Sequence, residues 1–233
     1  MVSNKTVSTL TLLFFIATAS SQEDPNPLRF VEDPMGGIVS IDLFRQWDKK
    51  NATVDNSIVF VGSSSIRGWS TAEYFPDLPI INRGFGGSHI SDINYFINET
   101  VLKYSPKLIV FYAGENDIYF RKTSQIILED FISFTNQVNS QLPNTKIIFI
   151  SIKPSPKRWV LWNEMKKANQ LIHNYCKKNP RLNYVDIASI MLNNKGLPKH
   201  SLFLSDKLHM NNKGYDLWSE VLEPLLRDLF ESD

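Results

Sequence analysis

Hydrophobic positions along the chain follow two alternating rhythms. Five short runs with β-branched residues lie at 57–61, 79–82, 107–113, 146–152 and 182–187. Runs of that length and composition predict buried parallel strands, apolar on both faces. Between them lie longer stretches with helical spacing. One covers 89–104. A second covers 123–142, with Ile127, Phe131, Phe134 and Val138 at i, i+4, i+7 and i+11. A third, 162–178, repeats the spacing with Met165, Ala168, Ile172 and Tyr175. The last, 212–230, contains Pro224, which is expected to kink or divide it. Upstream, Ser40 is placed to cap a helix through Lys50 that carries Leu43, Phe44 and Trp47 on one face. Strands alternating with helices imply right-handed βαβ units and a parallel sheet covered on both faces.

The two ends of the chain differ in character. Lys5 precedes an apolar run from Leu10 to Ala17, and small residues follow at Ala19, Ser20 and Ser21. That order reads as a cleavable secretory signal over residues 1–21, leaving 22–233 as a single domain. The apolar run falls short of the ~20 residues needed to span a bilayer. The expected protein is secreted or periplasmic, without stable membrane insertion. Residues 22–37, with three prolines and two glycines, read as an extended arm lying on the surface.

Composition narrows the partners. Of 233 residues, 42% are hydrophobic, so one domain has ample material for its own core. A net charge of +1 with no basic run gives no footprint for a nucleic acid. The single Cys176 cannot pair within the chain and reads as a small buried hydrophobe. The histidines are scattered without metal-ligand spacing, and no phosphate-cradling or dinucleotide fingerprint occurs, so neither metal nor cofactor is expected.

In open parallel sheets, ligands bind beyond the carboxyl ends of the strands. Gly62-Ser63-Ser64-Ser65 follows the first strand, and Asn82 to Ser88, with Gly84, Gly86 and Gly87, follows the second. A serine turn can expose a hydroxyl or merely cap a helix, and a glycine turn can bring backbone N–H groups to an anion. Gly114-Glu115-Asn116-Asp117 follows the third strand and offers an amide donor, or an Asx-turn. Asp206 stands three residues before His209, just ahead of the last helix. An aspartate there can hold Nδ1 and leave Nε2 to take a proton from serine.

These four blocks resemble those of the SGNH hydrolases, also called GDSL esterases and lipases. The blocks are Phe60 to Ser64 with Gly68-Trp69, Asn82 to Gly87, Gly114 to Asp117, and Asp206 to Tyr215. The resemblance implies a flavodoxin-like three-layer α/β/α sandwich with a five-stranded parallel sheet. It also implies Ser64 as nucleophile, Gly87 and Asn116 as oxyanion-hole donors, His209 as base and Asp206 as its orienting partner. One departure stands out. Ser63 occupies the position of the family's usual aspartate, which leaves Ser63 and Ser65 as rivals for the nucleophile.

Residues around this set are candidates for shaping the substrate. Arg67 and Trp69 lie close to Ser64 in sequence, and Arg158 with Trp159 follows the fourth strand on a proline-stiffened loop. Arg158 and Trp159 would suit a polar, ring-shaped ligand such as a sugar, or Trp159 would pack on the core. The expected activity is hydrolysis of carboxylic esters through an acyl-serine. The expected substrate is a small-molecule or glycan ester, with acetyl groups on an extracellular carbohydrate preferred. Alternatives are a lipid esterase or lysophospholipase, an acyltransferase using the same residues, and a non-catalytic carbohydrate-binding protein on the same scaffold.

Overall fold

The computed structural model describes residues 24–31, 41–52 and 54–232. The expected leader over 1–21, the Ser40 cap and residues 22–23 and 32–37 of the expected arm lie outside them. In chain order the main elements are α1 (Ile41–Lys50), β1 (Ile58–Gly62), α2 (Ser64–Arg67), α3 (Thr71–Tyr74) and β2 (Ile80–Gly84). There follow α4 (Ile90–Tyr95), α5 (Ile97–Thr100), β3 (Leu108–Tyr112), α6 (Glu115–Tyr119) and α7 (Ser124–Gln141). The chain continues through β4 (Lys146–Ile150), α8 (Trp162–Cys176), β5 (Leu182–Val185) and α9 (Asn212–Glu231), with short 3-10 turns between.

All five strands pair in parallel in the order β2-β1-β3-β4-β5. Alternate side chains of a strand point to opposite faces, and here both faces are apolar. Val59, Val61, Ile109, Phe111, Ile147 and Phe149 enter one core with Phe44 of α1, Ile93 of α4, Phe131 of α7 and Ile172 of α8. Ile58, Phe60, Leu108, Val110, Ile148 and Ile150 enter a second core with Trp218, Leu222 and Leu226 of α9. This is the expected α/β/α sandwich with a five-stranded parallel sheet. The reading of every strand as buried on both faces holds for β1 and β3. It needs correction at β2 and β5, which are edge strands and half-buried in part.

Three departures from the sequence pattern have physical causes. The expected helix over 89–104 is broken at Phe96 and Val101 into α4, α5 and a 3-10 turn, Leu102–Tyr104. Ile93, Phe96, Ile97, Val101 and Tyr104 are all buried, so helical spacing persists across the breaks and hides them. The final helix is not divided at Pro224. Pro224 cannot donate to Glu220, but both residues lie on the exposed side, where the freed carbonyl meets water. The arm is not simply laid on the surface. Pro27–Phe30 forms a 3-10 turn, Phe30 is buried edge-on against Phe85 at 5.0 Å, and Arg29 pairs with Asp92 at 2.5 Å.

The strand order has one reversal. The chain passes from β1 outward to β2, then returns to β3 and proceeds the other way to β5. A crevice is expected beyond the carboxyl ends of β1 and β3, where the two directions part.

Candidate active site

The register of the sheet sets the first two groups of the site. Gly62 of β1 pairs with Tyr112 of β3, so these neighbouring strands end together. Gly62 adopts a φ of +153°, and a methyl there would sit 1.9 Å from the Tyr112 carbonyl oxygen. Only glycine lets the chain leave β1 this close to β3. Ser63 then donates its backbone N–H to Tyr112 O at 3.0 Å, and Ser64 opens the short helix α2.

This turn separates the three rival serines. Ser63 and Ser65 are 3% and 2% exposed, whereas Ser64 is half-buried at the surface. Ser64 Oγ lies 3.1 Å from His209 Nε2, and His209 Nδ1 lies 2.6 Å from Asp206 Oδ2. Asp206 Oδ1 also accepts from the backbone N–H groups of Leu208 and His209, at 2.9 and 3.0 Å. Desolvation alone would raise the Asp206 carboxyl. The hydrogen bonds from the His209 ring and the two backbone amides outweigh it and hold the group at about 2. An ionised Asp206 accepts from Nδ1–H, which leaves Nε2 as the acceptor facing the Ser64 hydroxyl.

Two anchors hold this arrangement from behind. Tyr215 of α9 is buried and donates its hydroxyl to Ser65 O at 3.1 Å, tying the last helix to the serine turn. Asn82 Nδ2 donates to Ile66 O and Trp69 O at 2.8 and 3.1 Å, while its Oδ1 accepts from Gly84 N at 2.9 Å. The loop carrying His209 is fixed by Asn211, whose Nδ2 donates to Ser201 O and Phe203 O at 2.9 and 3.1 Å. None of these anchoring roles was legible in the spacing that singled out the blocks.

In the loop after β2, Gly87 has a φ of +80°, is exposed, and has open space where a side chain would project. Its left-handed backbone favours glycine, and its uncovered surface suits a backbone donor. Asn116 belongs to α6, not to an Asx-turn. Its Nδ2 donates to Ser88 O at 3.1 Å, which sets the amide against the Gly87-Ser88 loop. Its Oδ1 accepts from Arg158 at 3.0 Å. Asp117 is fully buried and accepts the Ile90 backbone N–H at 3.0 Å, joining α6 to the start of α4.

Beneath Asn116 lies a charge cluster that sequence reading missed. Glu115 is buried and contacts Lys153 Nζ, Ser155 Oγ at 2.9 Å and Tyr112 OH at 3.1 Å. Burial would raise the Glu115 carboxyl, but Lys153, Arg158 and Ser155 together hold it below its ordinary value. Glutamate and lysine are rarely fully buried unless paired, and this pair joins residues 38 apart in sequence. The only sequence signal was the placement of both just after strands.

The four candidate substrate contacts separate on exposure. Trp69 must be corrected. It is 2% exposed, sits among Phe60, Phe75, Tyr215 and Trp218, and donates Nε1–H to Ser219 Oγ at 3.2 Å. It is a core residue, because the α2 turn directs it inward onto α9. Trp159 stacks on Trp162 at 6.0 Å and packs against the core. Arg67 is half-buried over Gly86, where an added methyl would lie 3.3 Å from its Cζ. Arg158 lies across the Tyr119 ring at 4.5 Å. Cys176 is buried, and burial pushes its thiol up to about 12. Among the described residues no cluster of His, Cys, Asp and Glu has the arrangement of a metal site, and no helix is long and apolar enough to cross a membrane.

Comparison with solved structures places this fold among known hydrolases. A GDSL-like lipase from Bacteroides thetaiotaomicron superposes with a TM-score of 0.69 at 20% identity, covering 81% of this chain and 97% of its own. An acetyl xylan esterase superposes at 0.61 with 16% identity, covering 72% and 98%. A family 3 carbohydrate esterase from Clostridium thermocellum superposes at 0.59 with 16% identity, covering 76% and 99%. At these identities the likeness is one of fold. A comparison with curated protein sequences yields no match. The family model for GDSL-like lipases and acylhydrolases matches residues 56–217, a span that contains every block of the site, and the chain therefore belongs to the GDSL-like lipase/acylhydrolase family.

Proposed function

We propose that this protein is a serine-dependent carboxylic ester hydrolase that works through an acyl-serine intermediate. The observation that carries the reading is the unbroken line from Asp206 through His209 to Ser64, with contacts of 2.6 and 3.1 Å. Ser64 Oγ attacks the ester carbonyl as His209 Nε2 takes its proton. The carbonyl oxygen becomes negative and is met by the Gly87 N–H and the Asn116 amide, each donor worth about 3–4 kcal/mol. His209 then gives its proton to the departing alcohol. A water molecule repeats the sequence on the acyl-serine, releasing the carboxylic acid and restoring the Ser64 hydroxyl.

The substrate we favour is a short-acyl ester, acetyl above all, of an extracellular carbohydrate. Two features support it. Acetyl xylan and carbohydrate esterases share the fold, and the N-terminal pattern of Lys5, the apolar run and small residues fits export. A second reading, a more apolar ester, draws on exposed Tyr119, Val160 and Leu204, on the segments that carry Asn116, Arg158 and Asp206.

The test is hydrolysis of p-nitrophenyl esters of increasing chain length and of acetylated sugars, with Ser64→Ala as control. Acetyl preference that disappears in Ser64→Ala is expected. Undiminished turnover in Ser64→Ala overturns the serine mechanism, and preference for long chains favours the lipid-like substrate.

A further inference from the structure

A carboxamide is useful in an oxyanion hole only in one of its two orientations. Turned by 180°, Asn116 would present its carbonyl oxygen to the developing negative charge and repel it. What fixes the orientation is therefore part of the site. The two neighbours of the Asn116 amide are both single-signed. Ser88 O only accepts, and receives a hydrogen bond from one Nδ2–H at 3.1 Å. The Arg158 guanidinium only donates, and meets Oδ1 at 3.0 Å. Flipping the amide would set N–H against N–H on one side and oxygen against oxygen on the other. In the orientation present, Nδ2 keeps a second proton that is not used on Ser88.

Arg158 is itself held. Its side chain is 10% exposed, lies across Tyr119 at 4.5 Å, and reaches within 3.7 Å of Glu115 Oε1. Glu115 is anchored in turn by Lys153, Ser155 and Tyr112. The chain of contacts runs from a buried carboxylate, through a guanidinium, to the carbonyl end of the Asn116 amide.

We infer that Arg158 is a positioning residue, which sets the Asn116 amide with its N–H toward the substrate oxygen rather than contacting the substrate itself. The inference deepens the proposed function and rests on Asn116 being an oxyanion donor. It accounts for an arginine at this place, since a guanidinium has no acceptor with which to stabilise the flipped amide.

The experiment is a double-mutant cycle with p-nitrophenyl acetate. Asn116→Ala removes the donor, and Arg158→Met removes the guanidinium while keeping an unbranched stem over Tyr119. Arg158→Met should lower kcat on the order of 10–100-fold with little change in KM, since the lost donor acts in the transition state. In the Asn116→Ala background the same change should cost no more than about threefold, because the two residues act as one unit. Equal losses in both backgrounds, or a loss confined to KM, would overturn the inference and make Arg158 a direct substrate contact. Should Arg158→Met fail to fold, Arg158→Gln, which offers both a donor and an acceptor and so no longer selects one amide orientation, carries the same comparison.

A readout without turnover separates this inference from the hydrolase reading. The Asn116 side-chain amide protons, assigned by their loss in Asn116→Ala, can be followed by NMR in otherwise unaltered protein. Their exchange with solvent should speed up by about tenfold or more in Arg158→Met. Unchanged exchange overturns the positioning role, whether or not the protein hydrolyses esters. A wild type without Ser64-dependent turnover would instead count against the proposed function, leaving the amide measurement to decide on Arg158.

Discussion

Asp206→Asn discriminates between an aspartate that orients the base and one that merely holds a loop. Asp206 accepts three hydrogen bonds, from His209 Nδ1 at 2.6 Å and from the backbone of Leu208 and His209 at 2.9 and 3.0 Å. An asparagine oxygen can keep the two backbone bonds, so the loop should survive. The other end of the side chain becomes an NH2 group facing Nδ1. Two donors cannot face each other, so the ring shifts its proton to Nε2 and turns that nitrogen from acceptor into donor. At 3.1 Å from Ser64 Oγ, Nε2 then has no lone pair with which to take the hydroxyl proton. A wrong tautomer of this kind costs about 10⁴-fold in a buried triad, about 5 kcal/mol of barrier. Asp206 is half-exposed, at 46% of its side chain, so water offsets part of this. The expected loss in kcat is on the order of 10²–10⁴-fold at neutral pH. The melting temperature should stay within about 3 °C of wild type. Steady-state hydrolysis of p-nitrophenyl acetate and a thermal melt on the same preparation measure both. A folded Asp206→Asn protein retaining more than about a tenth of wild-type kcat, with Ser64→Ala inactive, would refute the orienting role.

Two further predictions concern stability. Lys153→Met leaves the Glu115 carboxylate buried without its nearest cation and should cost about 3–5 kcal/mol in urea unfolding. Adding Glu115→Gln should recover most of that loss, and a double variant no better than the single one would count against a paired charge. His89 is driven down to about 4 by burial first and then by Lys122 and Arg29, so it enters the fold neutral. The unfolded chain takes up a proton below about 6.5 and the folded one only near 4, so this residue drains stability as pH falls through that window. His89→Gln should flatten the fall by on the order of 1–3 kcal/mol between neutral pH and 4. Equal slopes in the two proteins would argue that His89 is protonated in the native state.

What the sequence disclosed and what it hid follow from the range of the interactions. The central strands were legible because they carry runs of Ile, Val and Phe, and β1 and β3 are covered on both faces. The Asp206–His209 pair was legible because both residues lie in one turn, where three-residue spacing fixes the geometry. The Glu115–Lys153–Ser155 cluster was not, because its members are 38 and 40 residues apart and a lysine in a loop reads as solvated. Trp69 misled for the opposite reason. Five residues from Ser64 it looked like a substrate contact, but α2 turns between them and delivers the indole to Ser219 of α9, 150 residues away. Local spacing finds chemistry held within one loop; it cannot see which way a short helix turns its neighbours.

The parts of the site differ in how firmly the fold holds them. Ser64 and Asn116 follow adjacent strands whose ends are locked together by the Gly62–Tyr112 register, and both are backed by buried polar bonds. His209 and Asp206 come from a loop outside the sheet, half-buried or exposed, held by Asn211 and by the backbone bond from Lys157 N to Lys207 O at 2.9 Å. That last bond joins the loop of the base to the 3-10 turn Pro156–Leu161, which carries Arg158. One short segment thus touches both the Asn116 amide and the loop that carries His209. A shift in this segment would disturb both halves of the proposed chemistry at once, whereas a shift in any sheet strand would first have to break the parallel ladder. On the proposed reading, the sheet-end turns hold Ser64 and Asn116, and the turn Pro156–Leu161 links the Asn116 amide to the loop that carries His209.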